Sequence, residues 1–169
     1  DHLKQRDNKA RVFVLHRLDR DTSGVMMFAK SQEVQNKMQA NWDEEVVNRQ
    51  YSAVVEGRMK AKEGVLDNLL VEASSGVVFV SKQAGSGKRA ITRFSLVQSN
   101  MNYSLLNLTL ETGRKNQIRV QLAHIGFPIC GDKKYGSKSS PLKRLALHAG
   151  LLVFKHPVTG EEMKFTSPI

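Results

Sequence analysis

Short runs of apolar residues, several of them alternating with polar residues, recur along this chain. A period of two is typical of β-strands that bury one face, and short continuous apolar runs fit strands that are buried on both faces. These patterns predict strands over residues 12–15, 25–29, 51–55, 76–80, 90–96, 103–110, 144–149, 151–155 and 162–166. Residues 100–102 would link two strands as a hairpin, whereas residues 65–71 fit neither the strand period nor the helix period clearly.

Two segments repeat their apolar residues at the spacing of an α-helix. The first follows Ser31, a suitable N-cap, and the second is closed by Gly126 and Pro128. Their apolar positions are Val34, Met38 and Trp42 in the first segment and Ile118, Leu122 and Ile125 in the second. Because strands outnumber helices without a regular βαβ alternation, we expect an α+β fold with a mostly antiparallel mixed β-sheet and flanking helices.

Length and composition indicate one soluble domain. The chain has 169 residues, of which 40% are hydrophobic and 25% are charged, and these values are typical of a globular protein. No apolar run approaches the roughly 18 residues of a membrane span, so we expect no membrane association. A single cysteine, Cys130, and a polar start over residues 1–11 favour a reducing, cytoplasmic location over secretion.

The net charge of +10 predicts a polyanionic partner. Nucleic acid attracts a basic protein through counterion release, whatever its base sequence. A membrane-surface protein would concentrate its charge in one basic amphipathic helix, and no segment has that pattern. A basic surface that is merely solvated is the alternative interpretation of the charge.

The densest polar cluster spans residues 16–24, between the first two predicted strands. A loop held between two strands is a favourable place to present a reactive side chain. Asp19 has Arg17 and Arg20 beside it, and these cations should favour the ionised carboxylate, which can act as a nucleophile or a base. The same residue types are common in ordinary turns, where Asp19 or Asp21 would only cap backbone N–H groups.

A second polar cluster spans residues 111–119, where a predicted strand ends and a predicted helix begins. Arg114 and Lys115 lie close to the helix N-terminus, whose free N–H groups and dipole also attract anions. Arg119 lies on the flank of the apolar stripe, so its guanidinium could reach a buried carboxylate. The alternatives are a solvated basic face for Arg114 and Lys115 and a structural ion pair for Arg119.

Other familiar chemistries lack their motifs. Residues 84–89 depart twice from the phosphate-loop pattern and predict a basic connection between strands. His124, Cys130 and Asp132 lie near one another in the sequence but lack the paired spacing of a zinc site. The nucleophile elbow of a serine hydrolase is also missing from the sequence.

In these two clusters and beyond them, the chain resembles the RluA-type family of RNA pseudouridine synthases. The resemblance spans nearly the whole chain, and several motifs in one order are far more specific than any single motif. The motifs are His16-Arg17-Leu18-Asp19 with Thr22-Ser23-Gly24, residues 51–57, Glu111-Thr112-Gly113-Arg114 with Gln117-Ile118-Arg119, Pro128-Ile129, Gly131-Asp132, Tyr135-Gly136, residues 144–149 and Phe165-Thr166-Ser167-Pro168.

The resemblance implies three catalytic residues. Asp19 matches the aspartate that labilises the glycosidic bond, so that the uracil can turn and rejoin the ribose through C5. Tyr51 matches a tyrosine that stacks on the base and is implicated in removal of the C5 proton. Arg119 matches the arginine that pairs with the catalytic aspartate. The carbon-linked product requires no metal ion and no redox cofactor.

The resemblance also implies a structured RNA substrate, either ribosomal or transfer RNA, whose target base is flipped out of its stack. Arg17 matches a position from which family members can insert an arginine into the gap left by the flipped base. Together with Arg20, Arg114, Lys115 and Asn116, it forms the predicted RNA-binding set.

Two departures from the family pattern qualify this prediction. Asn116 and Gln121 stand where relatives often have histidine, so we expect altered contacts and retained chemistry. Family members carry further strands before His16, and many add an S4-like RNA-binding domain. We therefore expect residues 1–169 to form an N-terminally truncated catalytic domain without an S4-like domain. The alternatives are a non-catalytic RNA-binding module, an inactive truncated fragment, or an unrelated enzyme such as a metal-dependent nuclease, which EDTA would inhibit.

Overall fold

The structure, a computed structural model, describes Gln5, residues 11–83 and residues 85–169. Most of the predicted polar start lies outside these residues, as does Ala84 of the predicted 84–89 connection. In chain order the elements are β1 (Phe13–Val14), β2 (Ser23–Gly24), β3 (Phe28–Ala29), α1 (Gln32–Ala40), α2 (Trp42–Glu45), β4 (Val46–Glu56), β5 (Glu63–Glu72), β6 (Val78–Val80), β7 (Lys88–Ser99), β8 (Tyr103–Leu110), α3 (Gln117–His124), a 3₁₀ turn (Lys133–Tyr135), β9 (Leu147–Lys155) and β10 (Glu162–Thr166).

An eight-stranded sheet organises the fold. Its strand order is β10-β9-β4-β8-β7-β5-β6, and β2 joins it beside β9. The β2–β9 pair is parallel, whereas the other strand pairs of this sheet are antiparallel. β1 and β3 form a separate antiparallel pair. The predicted α+β class with a mostly antiparallel mixed sheet is confirmed, and none of the described helices is long and apolar enough to cross a membrane.

Three strand predictions needed correction. Residues 144–149 and 151–155 do not form two strands, because residues 147–155 run as the single strand β9. Gly150 falls where the β4–β9 register shifts, so it forms a bulge and does not end the strand. Of residues 25–29, only Phe28–Ala29 form a strand, β3. The residues just before this segment, Ser23–Gly24, pair with β9 and form β2. The ambiguous residues 65–71 lie within β5, which pairs with β6 and β7.

Three apolar clusters occur among the described residues, and two of them hold the elements that carry the two polar clusters. The larger one packs α3 against the sheet, with Leu106 and Leu108 of β8 and Leu122 of α3 almost fully buried. The smaller one centres on Met38, which is fully buried and holds α1 against β4 and β9. Burial of such a side chain stabilises a fold by about 1.5–3 kcal/mol. As predicted, Ser31 caps α1, and its Oγ accepts the Val34 N–H at 3.2 Å.

Candidate active site

The loop that carries Asp19 is tied down at both ends. At its start, the Nε2 atom of His16 accepts the Met27 N–H at 2.9 Å, and the imidazole lies 5.5 Å from the Trp42 ring between centroids. Burial and the Arg49 cation lower the pKa of His16, which keeps the ring neutral and able to accept this bond. Within the loop, the Thr22 N–H donates to the Asp19 carbonyl at 3.0 Å, as in a tight turn.

At its end the loop lies directly against β9. A Cβ atom on Gly24 would lie 2.1 Å from the Ala149 carbonyl oxygen, and the φ of Gly24 is +121°, so this position requires glycine. His148 bridges the contact, because its Nδ1 atom lies 2.8 Å from the Ser23 hydroxyl and its Nε2 atom lies 2.9 Å from the Ser167 carbonyl. The carbonyl can only accept, so Nε2 donates to it. The loop that carries Asp19 and the segment around Ser167 are thereby joined through one buried side chain.

The second polar cluster meets this loop at the start of α3. Asn116 adopts the left-handed conformation with φ of 53°, and its N–H donates to Asp19 Oδ1 at 3.4 Å. A buried polar network anchors α3 beneath the sheet. Gln117 bonds Thr92 at 2.9 Å, and Thr92 donates to Gln121 at 2.7 Å. Gln121, one of the two departures from the family pattern, is completely buried and serves the framework.

Arg119 is brought to Asp19, but its main partner is Asp132. Its Nε and Nη2 atoms donate to the two carboxylate oxygens of Asp132 at 2.7 and 2.8 Å, a two-bond geometry that suits a guanidinium. Its Nη1 atom donates to the Asn116 side chain at 3.0 Å and lies 3.9 Å from Asp19 Oδ2. The Tyr135 ring lies 5.1 Å from the guanidinium carbon. Arg119 therefore lies within ion-pair distance of both carboxylates, and Asp132 is the closer of the two.

The pKa of Asp19 is shifted in the opposite direction from the one its neighbours in the sequence suggest. We expected nearby cations to favour the ionised carboxylate, but the pKa of Asp19 is raised because burial outweighs the attraction of Arg119. Asp132 adds repulsion to this shift, and the Asn116 N–H and Arg17 act against it. The pKa of Tyr51 is also raised, first by burial and then by the Asp19 charge, so its phenol stays protonated.

A cavity of about 550 Å³ is lined by Asp19, the predicted catalytic carboxylate, and by Tyr51. Arg17, Arg114 and Lys115 line it with Asp19 and Tyr51, and all three cations are exposed. Two of them have neighbours of their own. Arg114 donates from Nε to a backbone carbonyl at 3.0 Å, and Lys115 forms an ion pair with Glu72. Their predicted RNA contacts stay predictions, although both side chains border the cavity.

Two members of the predicted RNA-binding set do not line this cavity. Arg20 is exposed outside it. We expected Asn116 to face RNA, but the residue is only 6% exposed and its side chain bonds Arg119 and the Tyr135 hydroxyl. The left-handed turn before α3 directs the amide inward, so the structure supports a positioning role for Asn116 and not a direct RNA contact. No group of three or more metal-ligating side chains occurs in the described part of the chain.

Sequence reasoning missed two residues of the site. The sequence places Asp132 in the Gly131-Asp132 motif, but it does not predict that Asp132 holds Arg119. Arg49 lines the cavity two residues before Tyr51, on the same face of β4, because side chains alternate along a strand. A charged residue at that register position was the only sign in the sequence.

Comparison with known proteins gives a consistent result. A family model described as RNA pseudouridylate synthase matches residues 1–124. An uncharacterised RNA pseudouridine synthase of Bacillus subtilis, YjbO, is 37% identical over 169 residues, which are 100% of this chain and 59% of that protein. The ribosomal large subunit pseudouridine synthase D of Haemophilus influenzae is 36% identical over 94% of this chain and 53% of its own length. The chain thus spans somewhat more than half the length of these relatives.

Two solved human structures share the fold. The RNA pseudouridylate synthase domain containing 1 protein superposes with a TM-score of 0.80 over 99% of this chain and 72% of that chain, at 23% identity. The RNA pseudouridylate synthase domain containing 4 protein superposes with a TM-score of 0.76 over 94% of this chain and 71% of that chain, at 26% identity. The first comparison concerns the fold alone, because its sequence identity is low.

Proposed function

Since the chain belongs to the RNA pseudouridylate synthase family, we propose that it isomerises uridine in RNA to pseudouridine with Asp19 as the catalytic carboxylate. The bond from uracil N1 to ribose C1′ breaks, the base turns, and a bond from C5 to C1′ forms. C5 loses its proton and N1 gains one, so the product is an isomer of the substrate. The observation that carries the proposal is the position of the Asp19 carboxylate in a cavity beside Tyr51, with Arg119 Nη1 at 3.9 Å.

Asp19 suits this reaction because it is held in place but not fully bonded. Its carboxylate has one long N–H bond from Asn116 and one long ion pair with Arg119. A carboxylate so placed can attack the sugar, attack the base, or remove a sugar proton, and each of these uses needs free lone pairs. Arg119 would stabilise the negative charge that returns to Asp19 when the intermediate resolves.

Tyr51 would stack on the uracil and assist removal of the C5 proton. Its ring is partly buried in the cavity wall, where its face can stack on a base, and its raised pKa favours the neutral phenol. To accept the C5 proton, the phenol must first give up its own proton. The Arg49 cation opposes the rise of the Tyr51 pKa, so it favours that deprotonated form.

The substrate would be structured ribosomal or transfer RNA with its target uridine flipped into the cavity. A base in a stacked helix cannot present its glycosidic bond to a carboxylate, so the base must be extruded. Arg17 borders the cavity and is exposed, which supports its proposed insertion into the gap left by the base. Large-subunit ribosomal RNA is the first substrate to test, because one relative is named for it.

Tritium release from RNA that contains [5-³H]uridine tests the proposal. The chain is incubated in EDTA with unmodified large-subunit ribosomal RNA and with unmodified transfer RNA, both transcribed in vitro. We expect wild type to release tritium from one of them and Asp19→Asn to lose at least about 100-fold in rate. Asp21→Asn is the matched control, because Asp21 is exposed and asparagine tolerates its left-handed backbone.

Three outcomes would contradict the proposal. Tritium release that persists in Asp19→Asn would remove the carboxylate from the chemistry. Activity that requires a divalent metal would favour a metal-dependent enzyme. Salt-sensitive RNA binding without tritium release from either RNA is the result expected of a non-catalytic RNA-binding module.

A further inference from the structure

Arg49 is a cation inside the cavity that the proposed reaction leaves without a binding role. It lies on β4, about 7 Å along the strand from Tyr51 at the usual rise per residue, and both side chains line the same cavity. Its guanidinium lies over the backbone of Gly113. A Cβ atom at that glycine would be 2.6 Å from Arg49 Nη1, so the missing side chain gives the guanidinium its space.

The charge of Arg49 has no close partner in residues 11–83 and 85–169. Within those residues, the guanidinium makes no side-chain hydrogen bond and no carboxylate lies within 4.0 Å of it, in contrast to Arg89, Arg93 and Arg119. Burial lowers the pKa of Arg49, yet an arginine remains charged in proteins. Burial removes part of the water around this guanidinium, and no carboxylate of the described residues takes its place.

The charged and titratable groups around Arg49 do not neutralise it, so an anion can bind there. His16 is kept neutral, since burial and Arg49 itself lower its pKa, so it does not compete as a cation. Asp43 lines the same cavity and attracts Arg49 from beyond ion-pair distance. It is exposed, so water weakens its interaction with Arg49. Tyr51 attracts Arg49 more than Asp43 does, but only when the phenol is ionised, and burial raises the pKa of Tyr51 so that the phenol is neutral at neutral pH.

We propose that Arg49 binds a backbone phosphate of the RNA strand, at or next to the nucleotide whose base reaches Tyr51 and Asp19. This inference rests on the proposed function and adds a phosphate subsite to that site. Guanidinium and phosphate match as paired donors and acceptors, and phosphate contacts set the register of a nucleic acid on a protein. One nucleotide can place its base over Tyr51 while its phosphate lies at Arg49, two residues or about 7 Å away along β4.

The test is RNA binding as a function of salt concentration, measured by filter binding with the same unmodified large-subunit ribosomal RNA and transfer RNA. We expect Arg49→Gln to weaken binding about tenfold or more and to lower the slope of log affinity against log salt by about 0.7–0.9. Arg49→Lys should restore the slope but only part of the affinity, since lysine lacks the paired donors. Thermal melting should show that Arg49→Gln remains folded.

Asp43→Asn separates a phosphate site from an internal ion pair. If Arg49 binds phosphate, Asp43→Asn should bind RNA as tightly as wild type or more tightly, because a nearby negative charge is removed. A loss equal to that of Arg49→Gln would show that Arg49 serves Asp43, and this result would overturn the proposal. Gly113→Ala should weaken binding in the same direction as Arg49→Gln, because the methyl group displaces the guanidinium.

The proposal and the proposed function can fail separately. A wild-type salt slope and affinity in Arg49→Gln, with normal tritium release by wild type, would reject the phosphate subsite alone. Unchanged RNA affinity with a lower kcat would show that Arg49 acts through the Tyr51 phenol and not on phosphate, and would also reject it. If wild type neither binds RNA in a salt-dependent way nor releases tritium, both inferences are rejected.

Discussion

Replacing Asp132 with alanine should destabilise the fold by about 3 kcal/mol, because it leaves the buried Arg119 cation without its main partner. Asp132 is 2% exposed and Arg119 is 9% exposed. The substitution removes the acceptors of two short bonds, at 2.7 and 2.8 Å. Breaking one side of a buried ion pair costs about 3–5 kcal/mol. We expect the lower end, since Asp19 and Asn116 remain near the guanidinium.

Urea unfolding at constant m value gives the free-energy change. For a domain of this size, 3 kcal/mol corresponds to a fall in Tm of about 6–12 °C. Asp67→Ala is the matched control. Arg89 donates two hydrogen bonds to Asp67, at 2.9 and 2.5 Å, in the same geometry, but this pair is exposed on the surface. Its unfolding midpoint should stay close to that of wild type. If both variants lose the same stability, or if Asp132→Ala loses less than about 1 kcal/mol, the reasoning is refuted.

The same substitution should also move the pH dependence of the reaction. Asp132 raises the pKa of Asp19 by repulsion, whereas Arg119 lowers it. Loss of Asp132 removes the repulsion and leaves Asp19 as the nearest carboxylate to Arg119 among the described residues. Both effects lower the pKa of Asp19, so the acid limb of the pH–rate profile should shift to lower pH. A purely structural role of Asp132 would leave that limb unchanged.

Three further predictions concern buried polar groups. Gln121→Leu should cost about 2–3 kcal/mol in urea unfolding, because the Thr92 hydroxyl loses its acceptor and two backbone carbonyls lose the amide that donates to them. The lowered pKa of His16 predicts that its stabilising contribution is complete above pH 6.5 and is lost as the pH falls toward the folded-state pKa. His16→Gln should lack this pH dependence. Asp19→Asn should be at least as stable as wild type at neutral pH, because the raised pKa of Asp19 means that ionisation costs stability above pH 3.8, and the difference in Tm should vanish in acid.

The strands could be predicted because burial on a sheet follows a local pattern. In β7 and β8, inward residues alternate with outward residues, so the period of two was readable without knowledge of the partner strands. β9 could not be predicted as one strand, because the bulge at Gly150 depends on its register against β4. The loop before β3 was equally inaccessible, since Ser23–Gly24 pairs with residues 148–149, far away in sequence.

The charges of the site were predicted less well than its members. The two polar clusters do meet in space, through the N–H of Asn116 and the guanidinium of Arg119. The sign of the Asp19 pKa shift was wrong, because neighbouring cations are visible in a sequence whereas burial is not. Asn116 was misassigned for a similar reason. Its residue type suits a surface contact, but its left-handed backbone turns the side chain toward Tyr135.

Arg119 bonds Asp132 more closely than Asp19, and this difference leaves the Asp19 carboxylate free to react with a substrate. Asp132 receives two short bonds from the guanidinium, whereas Asp19 lies at 3.9 Å. If Asp19 held those two bonds, its lone pairs would be occupied, and an approaching nucleotide would first have to break a strong ion pair. With Asp132 as the anchor, the guanidinium is fixed by the framework and not by the residue that reacts. The proposed catalytic carboxylate therefore has a cation beside it without being neutralised by it.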